Sequence, residues 1–337
     1  MGETWLGPVQ ASSRPAAAPT RARKPTHDAS TPAVIVVGCA RNCAKDLPAC
    51  LRTLEGVARV ANDCCGGGGP AGWVLFENDS DDGTLAVLEA FRRAGPRRHV
   101  VSEVGLDAWL PKRTHRLAHG RNMLLRRVEL LGWLSASTLL VIADLDDVNK
   151  VVDLGGAAIA CGLVAGGSLD VATANQPRRY YDLWALRTAR APGNSWARAA
   201  RYDANRYAAG LSFFFPEMSH GADALPATGD PVEVLSAFGG LGVFSCAALR
   251  DRGDPARLAP GLVYDGRDAA MAPGACFPWL EGQDCEHCAF FAALRAHRGG
   301  DLRVAIVPQL LNCGDQAAKD GASKQLTDAL LKSMLPG

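Results

Sequence analysis

Two aspartates follow an apolar run at a spacing suited to a divalent cation. The run Thr138-Leu-Leu-Val-Ile-Ala143 leads directly into Asp144-Leu-Asp146-Asp147. If extended backbone continues beyond the run, the side chains of Asp144 and Asp146 point to the same side. Their hard carboxylate oxygens suit Mg²⁺ or Mn²⁺, which complete their coordination with water and phosphate oxygens. The same residues also fit a capped turn, so the choice between the two interpretations depends on the rest of the sequence.

Polar residues follow two earlier apolar runs as well. Residues 33–40 (Ala-Val-Ile-Val-Val-Gly-Cys-Ala) end at Arg41-Asn42, and residues 73–77 (Trp-Val-Leu-Phe-Glu) continue into Asn78-Asp-Ser80. Continuous apolar runs of this kind are typical of strands that are covered on both faces. In a wound parallel sheet, ligands bind at the carboxyl ends of the strands. We therefore expect the three polar clusters to converge on one crevice.

The elements that must position these residues alternate between strands and helices. Helical patterns begin at Asp46 and near Leu85, and a longer one covers residues 117–134. Further strands are predicted at 99–104, 171–174 and 304–308, and a further helix at 286–297. This alternation predicts an α/β fold in which helices cover a parallel sheet. The segment between the strand at 171–174 and the last helix is rich in Gly, Pro and Arg and gives no clear pattern.

Composition limits the class of protein. The 337 residues are 48% hydrophobic and 21% charged, enough for an ordinary globular core, and the formal net charge is +1. This balance produces no global field for nucleic acid or an anionic membrane, so neither is predicted as a partner. The longest weakly polar stretch, residues 155–167, is too short to span a bilayer. We expect a soluble chain of undetermined compartment, with a disordered tail over residues 1–32.

Two further clusters give the aspartates a context. Residues 76–84 (Phe-Glu-Asn-Asp-Ser-Asp-Asp-Gly-Thr) follow the second strand, and an Arg-rich segment runs from Arg113 to Asn122 before a helix. With Arg41-Asn42 and Asp144-Leu-Asp146, this set resembles the nucleotide-sugar glycosyltransferases of the GT-A fold, including family-2-like enzymes. The order and spacing of the motifs carry the resemblance more than any single motif does.

Tyr180–Arg187 and Ala237–Phe244 add a resemblance to the fungal capsule mannosyltransferase-like group, and the similarity spans about residues 34–308. It implies a single-domain GT-A, Rossmann-like α/β fold with a mostly parallel sheet flanked by helices. Residues 33–150 would then form the nucleotide-sugar-binding half and residues 151–315 the acceptor-binding and catalytic half. Residues 316–337 would form a helical tail.

The resemblance implies a UDP- or GDP-sugar donor, possessing a diphosphate that is bound by arginines and by Mn²⁺ or Mg²⁺. A departing nucleoside diphosphate develops negative charge, which a cation and guanidinium groups stabilise without proton transfer. The metal ligands implied are Asp144, Asp146 and His287. The donor-binding residues implied are Arg41, Glu77, Asp79, Arg116, Arg121, Asn122 and Asp144.

The acceptor implied is a glycan or glycoconjugate hydroxyl. The resemblance assigns acceptor binding to Asp182, Trp184, Gly239 and Gly240. A hydroxyl is a poor nucleophile, and an inverting enzyme places a carboxylate near it as general base. Glu286 or Asp284, at the start of the last predicted helix, resembles that position. Asp284 also fits the N-cap of this helix, and both roles are compatible.

Two other functions fit parts of the same pattern. A catalytically inactive glycan- or nucleotide-binding protein of this fold would keep the crevice without using the aspartates in a reaction. A nucleotidyltransferase also pairs acidic residues with phosphates, but Gly38-Cys-Ala-Arg-Asn42 lacks the Gly-rich loop that normally follows its first strand. A dinucleotide-binding enzyme is disfavoured because no Gly-X-Gly-X-X-Gly run follows that strand.

Overall fold

The computed structural model describes residues 31–66, 69–177, 180–189, 215, 224–267 and 283–314. The predicted disordered tail, apart from its last two residues, and the predicted helical tail at 316–337 lie outside these ranges. The division into a donor half and an acceptor half at residue 150 stays a prediction. Within the described ranges, no helix combines the length and the hydropathy that crossing a bilayer requires.

Nine strands of the described residues form a single sheet. Their bounds are β1 (Val34–Ala40), β2 (Gly72–Asn78), β3 (Arg98–Glu103), β4 (Leu139–Asp144), β5 (Val151–Val152), β6 (Val171–Asn175), β7 (Val232–Glu233), β8 (Leu241–Ser245) and β9 (Val304–Cys313). The helices are α1 (Leu47–Cys64), α2 (Thr84–Arg93), α3 (Leu106–Trp109), α4 (Arg113–Leu130), α5 (Leu154–Ala165), α6 (Cys246–Leu249) and α7 (Glu286–Arg298). One 3₁₀ turn, Asp147–Asn149, follows β4.

The strand order is β3-β2-β1-β4-β8-β6-β9-β5, and β7 pairs with β9. Strands β1 to β4 are mutually parallel where they pair, β8 is antiparallel to both β4 and β6, and β6 is parallel to β9. Among these described strands, six share one direction, while β5, β7 and β8 oppose it. The predicted α/β fold, a mostly parallel sheet flanked by helices, is confirmed.

The apolar strands divide their side chains between two cores. Ile35 and Val37 of β1 belong to a cluster on the α4 and α7 face of the sheet. Val34 and Val36 belong to the cluster on the α1 and α5 face. Strands buried on both faces need apolar residues at every position, which explains the continuous runs in the sequence.

One helix begins earlier than the sequence predicts, and another was not predicted. Helix α4 begins at Arg113, four residues before the predicted start, so the Arg-rich segment is itself helical. The Gly-rich residues 155–167 form most of helix α5, whose N-cap Asp153 accepts a hydrogen bond from the Gly156 amide at 3.0 Å. A Cβ atom on Gly156 would lie 1.7 Å from the Gln309 carbonyl oxygen. Glycine therefore lets α5 approach the backbone of β9 closely.

Candidate functional site

The carboxyl ends of β1, β2 and β4 surround a cavity of about 360 Å³. The first turns of α4 close another side of it. The structure thus brings the three polar clusters that follow these strands to one crevice. The polar residues that line the cavity are Arg41, Asn42, Asn78, Arg113, Arg116, Asp144 and Asp146.

Arginines form one wall of the cavity. Arg41 donates a hydrogen bond of 3.0 Å to Asp107 of α3. Arg116 donates to the carbonyl oxygens of Leu110 and Pro111 at 2.8 and 2.7 Å, so neighbouring backbone fixes its guanidinium. Burial, and then the positive charge of Arg41, lower the pKa of Arg116. Like charges brought this close favour an anionic ligand between them.

Asp144 and Asp146 form the acidic part of the cavity. Asp144 ends β4 opposite Cys39 of β1, and Asp146 lies on the exposed rim, where it accepts a hydrogen bond of 3.3 Å from the Val148 amide. Partial removal of water from the carboxyl group by neighbouring protein atoms, and then the Asp144 carboxylate, raise the pKa of Asp146 to about 6. A divalent cation between the two carboxylates would remove this repulsion. The two residues therefore fit a site for Mg²⁺ or Mn²⁺.

Arg121 joins the acidic end of β4 to the start of α7. Its side chain is 3% exposed, and it donates from Nη2 to Asp144 at 2.9 Å and from Nε to Glu286 at 3.0 Å. The guanidinium carbon also lies 4.9 Å from the centre of the Phe238 ring. Burial alone would lower the pKa of Arg121, but the two carboxylates raise it well above its usual value. Arg121 is therefore a permanent buried cation that orients both acidic groups.

His287 lies beside this network rather than with the two aspartates. Its ring stacks on Phe238 with centroids 3.8 Å apart, and its Nε2 atom is 3.8 Å from Oε1 of Glu286. Burial, followed by the charge of Arg121, lowers its pKa well below the usual value, so the imidazole is neutral. Among the described residues, no three His, Cys, Asp or Glu side chains come together as metal ligands. The structure does not bring His287 to Asp144 and Asp146 as a third ligand.

Asp284 and Glu286, the two predicted catalytic carboxylates, contact different arginines. Asp284 is buried and lies 3.5 Å from a guanidinium nitrogen of Arg187, whereas Glu286 is held by Arg121. The N-cap of α7 is Cys285, one residue later than the predicted cap, and its amide donates to Asp284 at 2.7 Å. Both carboxylates thus lie inside the protein, each beside a buried positive charge.

Glu77 and Asp79, predicted to bind the donor, organise the loop that follows β2. Glu77 is buried and accepts hydrogen bonds from the Ser80 amide at 2.8 Å and the Ser102 hydroxyl at 2.7 Å. Asp79 accepts hydrogen bonds from two backbone amides at the start of α3. The Asn78 side chain lowers the pKa of Asp79 most, so the carboxylate is ionised. Their predicted contact with a donor stays a prediction.

Asn122 of α4 fixes the backbone of the segment that contains Tyr264. Its side-chain amide donates to the Tyr264 carbonyl at 2.9 Å and accepts from the Tyr264 amide at 2.8 Å. This reciprocal pair uses both ends of the Asn122 side chain. It places Tyr264 next to Arg121, with the guanidinium carbon 5.8 Å from the centre of the Tyr264 ring. Donor binding by Asn122 stays a prediction.

The predicted acceptor residues Asp182, Gly239 and Gly240 come together beside Asp144. Gly239 and Gly240 both have positive φ, 65° and 82°, which allows a tight turn that other residues rarely adopt. Asp182 accepts a hydrogen bond from the Gly239 amide at 3.0 Å, and the Gly240 carbonyl accepts one from the Asp144 amide at 2.9 Å. Burial, and with it the Asp144 carboxylate, raises the pKa of Asp182 to about 6. Trp184 is half-buried and packs against the core.

Sequence reasoning missed Asn149, which holds the end of β4 in place. Its buried side-chain amide donates to the Asp144 carbonyl at 2.9 Å and to the Gly240 carbonyl at 2.7 Å, while its oxygen accepts from Asn312. The sequence pattern includes Arg113 only as part of an Arg-rich segment and does not predict it as a site residue. In the structure it lines the cavity. Tyr264 gave no signal, because its contact with Arg121 joins segments that are distant in sequence.

Comparison with known proteins gives weak similarities of fold. No protein-family model matches the chain, and no curated protein matches it. S. aureus TarS 1–349, solved in complex with UDP, is 14% identical over 83% of this chain and 59% of the TarS chain, with a TM-score of 0.37. The mannosyltransferase PcManGT from Pyrobaculum calidifontis, solved in complex with GDP-Man and Mn²⁺, is 14% identical over 89% of this chain and 80% of its own, with a TM-score of 0.34. At these values the function has to be argued from the residues of the chain itself.

Proposed function

We propose that the chain is a glycosyltransferase that moves a sugar from a UDP- or GDP-sugar donor to a hydroxyl of a glycan or glycoconjugate. The observation that carries the proposal is the cavity at the ends of β1, β2 and β4, with arginines on one wall and the Asp144 and Asp146 carboxylates on another. A diphosphate that shares a divalent cation has the complementary charges: phosphate oxygens for the arginines and a cation for the aspartates.

In this mechanism, the chain binds the diphosphate and stabilises it as it departs. Arg41, Arg113 and Arg116 would contact the phosphate oxygens, where guanidinium groups supply fixed positive charge. Asp144 and Asp146 would hold Mn²⁺ or Mg²⁺, which when bound supplies further positive charge to the leaving group. Arg121 bonds Asp144 and orients its carboxylate. Glu286 and Asp284 are the carboxylates that the sequence predicts as the general base.

Sugar transfer accounts for more of the structure than the two rival functions. Strand β1 continues into Arg41 and Asn42 without the Gly-rich loop that nucleotidyltransferases normally carry. A binding module would explain the cavity, but it would not need Asp182 and the Gly239-Gly240 turn placed directly beside Asp144. These residues give a second polar region next to the proposed diphosphate site, as a two-substrate reaction requires.

Calorimetric titration of the purified chain with UDP and GDP, each with and without Mn²⁺, tests the donor site. The variant Asp146→Asn removes one charge while its side-chain oxygen can still accept from the Val148 amide. Asp251→Asn is the control, because Asp251 lies in an exposed loop after α6. We expect metal-dependent binding of one nucleotide by wild type and control, weakened at least tenfold in Asp146→Asn. If neither UDP nor GDP binds, the proposal is contradicted. In a separate assay with UTP and GTP, release of pyrophosphate would favour a nucleotidyltransferase.

A further inference from the structure

The two predicted catalytic carboxylates are poorly placed to meet an acceptor. Glu286 is 4% exposed and bonded to Arg121, and Asp284 is 5% exposed and lies beside Arg187. Each of these carboxylates already has a buried guanidinium as its partner. A general base must also come within hydrogen-bond reach of the hydroxyl that it deprotonates.

Asp182 is better placed than Glu286 or Asp284 to reach an acceptor hydroxyl. It is only half-buried, and within the described part of the chain its carboxylate accepts hydrogen bonds from two backbone amides, those of Gly239 at 3.0 Å and Ala185 at 3.3 Å. The charged groups that face it are the carboxylates of Asp144 on β4 and Glu286 on α7, and both raise its pKa after burial has done so. A carboxylate in these surroundings accepts a proton readily near neutral pH.

Tyr181, the preceding residue, supplies an exposed aromatic face at the same place. The residue is 46% exposed. Its hydroxyl group lies against Gly240, where an added Cβ would be only 3.0 Å from the oxygen. The protein around that hydroxyl, followed by the carboxylates of Asp182, Asp144 and Asp146, raises the pKa of Tyr181 well above its usual value. The ring is thus anchored at its polar end beside the acidic residues, while an apolar face stays open to solvent.

We propose that Tyr181 and Asp182 form the acceptor site, in which the Tyr181 ring packs against a sugar ring and the Asp182 carboxylate removes the proton from the attacking hydroxyl. The hydroxyl oxygen forms a bond to the anomeric carbon of the donor sugar, and the bond from that carbon to the diphosphate breaks. The electron pair of that bond leaves with the nucleoside diphosphate. The proton moves to Asp182, which then releases it to water. The acceptor is therefore a sugar, and this inference rests on the proposed glycosyl transfer.

The test measures nucleotide release from UDP-glucose or GDP-mannose, whichever nucleotide binds, with methyl glycosides as acceptors. Asp182→Asn should keep the nucleotide affinity of wild type and lower kcat by about 10²- to 10⁴-fold. Tyr181→Ala should raise the KM for the glycoside at least tenfold, whereas Tyr181→Phe, which keeps the ring but loses its anchoring hydroxyl, should raise this KM less than Tyr181→Ala does. Added formate should restore part of the kcat of Asp182→Ala, because a small carboxylate can fill the space that this variant opens.

The outcomes separate this inference from the function on which it rests. If wild type releases nucleotide and Asp182→Asn keeps its kcat within about threefold, Asp182 is not the base and the inference fails alone. If no methyl glycoside accelerates release over water, or Tyr181→Ala keeps the wild-type KM, the sugar platform is wrong. If Asp182→Asn does not fold, the kcat of wild type decides, measured at Mn²⁺ concentrations that saturate the protein at every pH, so that loss of the cation from Asp146 does not contribute. It should fall as the pH drops below about 6, and a flat profile between pH 5 and 7 overturns the proposal. If wild type binds no nucleotide, both proposals fail.

Discussion

The guanidinium group of Arg121 donates a hydrogen bond of 2.9 Å to the carboxylate of Asp144, so the middle of α4 holds the last residue of β4. The same side chain bonds Glu286 at the start of α7. One buried cation on α4 therefore fixes two acidic groups, one on β4 and one on α7. Because the Arg121 side chain is 3% exposed, water cannot replace either partner.

Removal of one partner of this buried network should lower the stability of the folded protein. Arg121→Met leaves the buried Glu286 as an uncompensated charge, and we expect the free energy of unfolding to fall by about 3–5 kcal/mol. Glu286→Leu should also destabilise the protein, because the buried charge of Arg121 then has one carboxylate partner fewer. The double variant should lose much less than the sum of the two, since it removes both charges. Urea unfolding of the three variants checks this, and additive losses would show that the two side chains do not interact.

Two glycines of α5 should respond oppositely to the same substitution. An added Cβ on Gly162 meets nothing within 4 Å, whereas one on Gly156 would lie 1.7 Å from the Gln309 carbonyl oxygen. Gly162→Ala should raise the free energy of unfolding by about 0.5–1 kcal/mol, because alanine has less backbone freedom to lose. Gly156→Ala should lower it by about 1–3 kcal/mol as the helix shifts away from β9. Thermal unfolding of both variants measures the difference, and equal effects would refute this packing.

Asp146 should reduce stability at neutral pH. Its pKa in the folded protein is raised to about 6 from 3.8, so the folded state binds more protons than the unfolded state between these values. The contribution of Asp146 to stability is therefore fully present below pH 4 and is lost as the pH rises through 6. Asp146→Asn should gain stability relative to wild type between pH 4 and pH 7. Unfolding curves at both pH values check this, and a constant difference would contradict it.

Mn²⁺ should stabilise wild type relative to Asp146→Asn at pH 7, the opposite of the order expected without the cation. A cation held by Asp144 and Asp146 binds the folded state, so it should raise the melting temperature of wild type with increasing concentration. Asp146→Asn lacks one of the two carboxylates and should show little change. Asp251→Asn serves again as the control, because its substitution lies outside the cavity. An equal response of wild type and Asp146→Asn would place the cation elsewhere.

The central strands could be predicted from sequence because they are buried on both faces, which leaves long apolar runs such as residues 34–40. Strand β8 escaped prediction because it is five residues long and contains Gly242. Helix α5 escaped prediction because glycine is a poor helix former, and one of its glycines, Gly156, is needed for close packing against β9. In each case tertiary contacts outweigh local propensity.

The candidate site could be predicted only in part, because tertiary contacts also determine which of its residues meet. Local motifs identified Asp144, Arg121 and Glu286 as separate candidates, each next to a predicted strand or helix end. The bond between Arg121 and Glu286 joins residues 165 positions apart, and no local pattern encodes such a contact. The same holds for Asp284, two residues from Glu286, which lies beside Arg187 instead. The predicted start of this helix at residue 286 is correct, but its N-cap is Cys285 rather than Asp284, so the path of the chain into α7 differs from the prediction by one residue.

The most direct test of glycosyl transfer is the release of nucleoside diphosphate from UDP-glucose and GDP-mannose by the purified chain with Mn²⁺. We predict that wild type releases nucleotide from one of the two donors, and that Asp146→Asn does so at least a hundredfold more slowly. Wild type that binds a nucleotide but releases none from either donor, in water or with methyl glycosides, would contradict the account. The cavity would then belong to a binding protein rather than to a transferase.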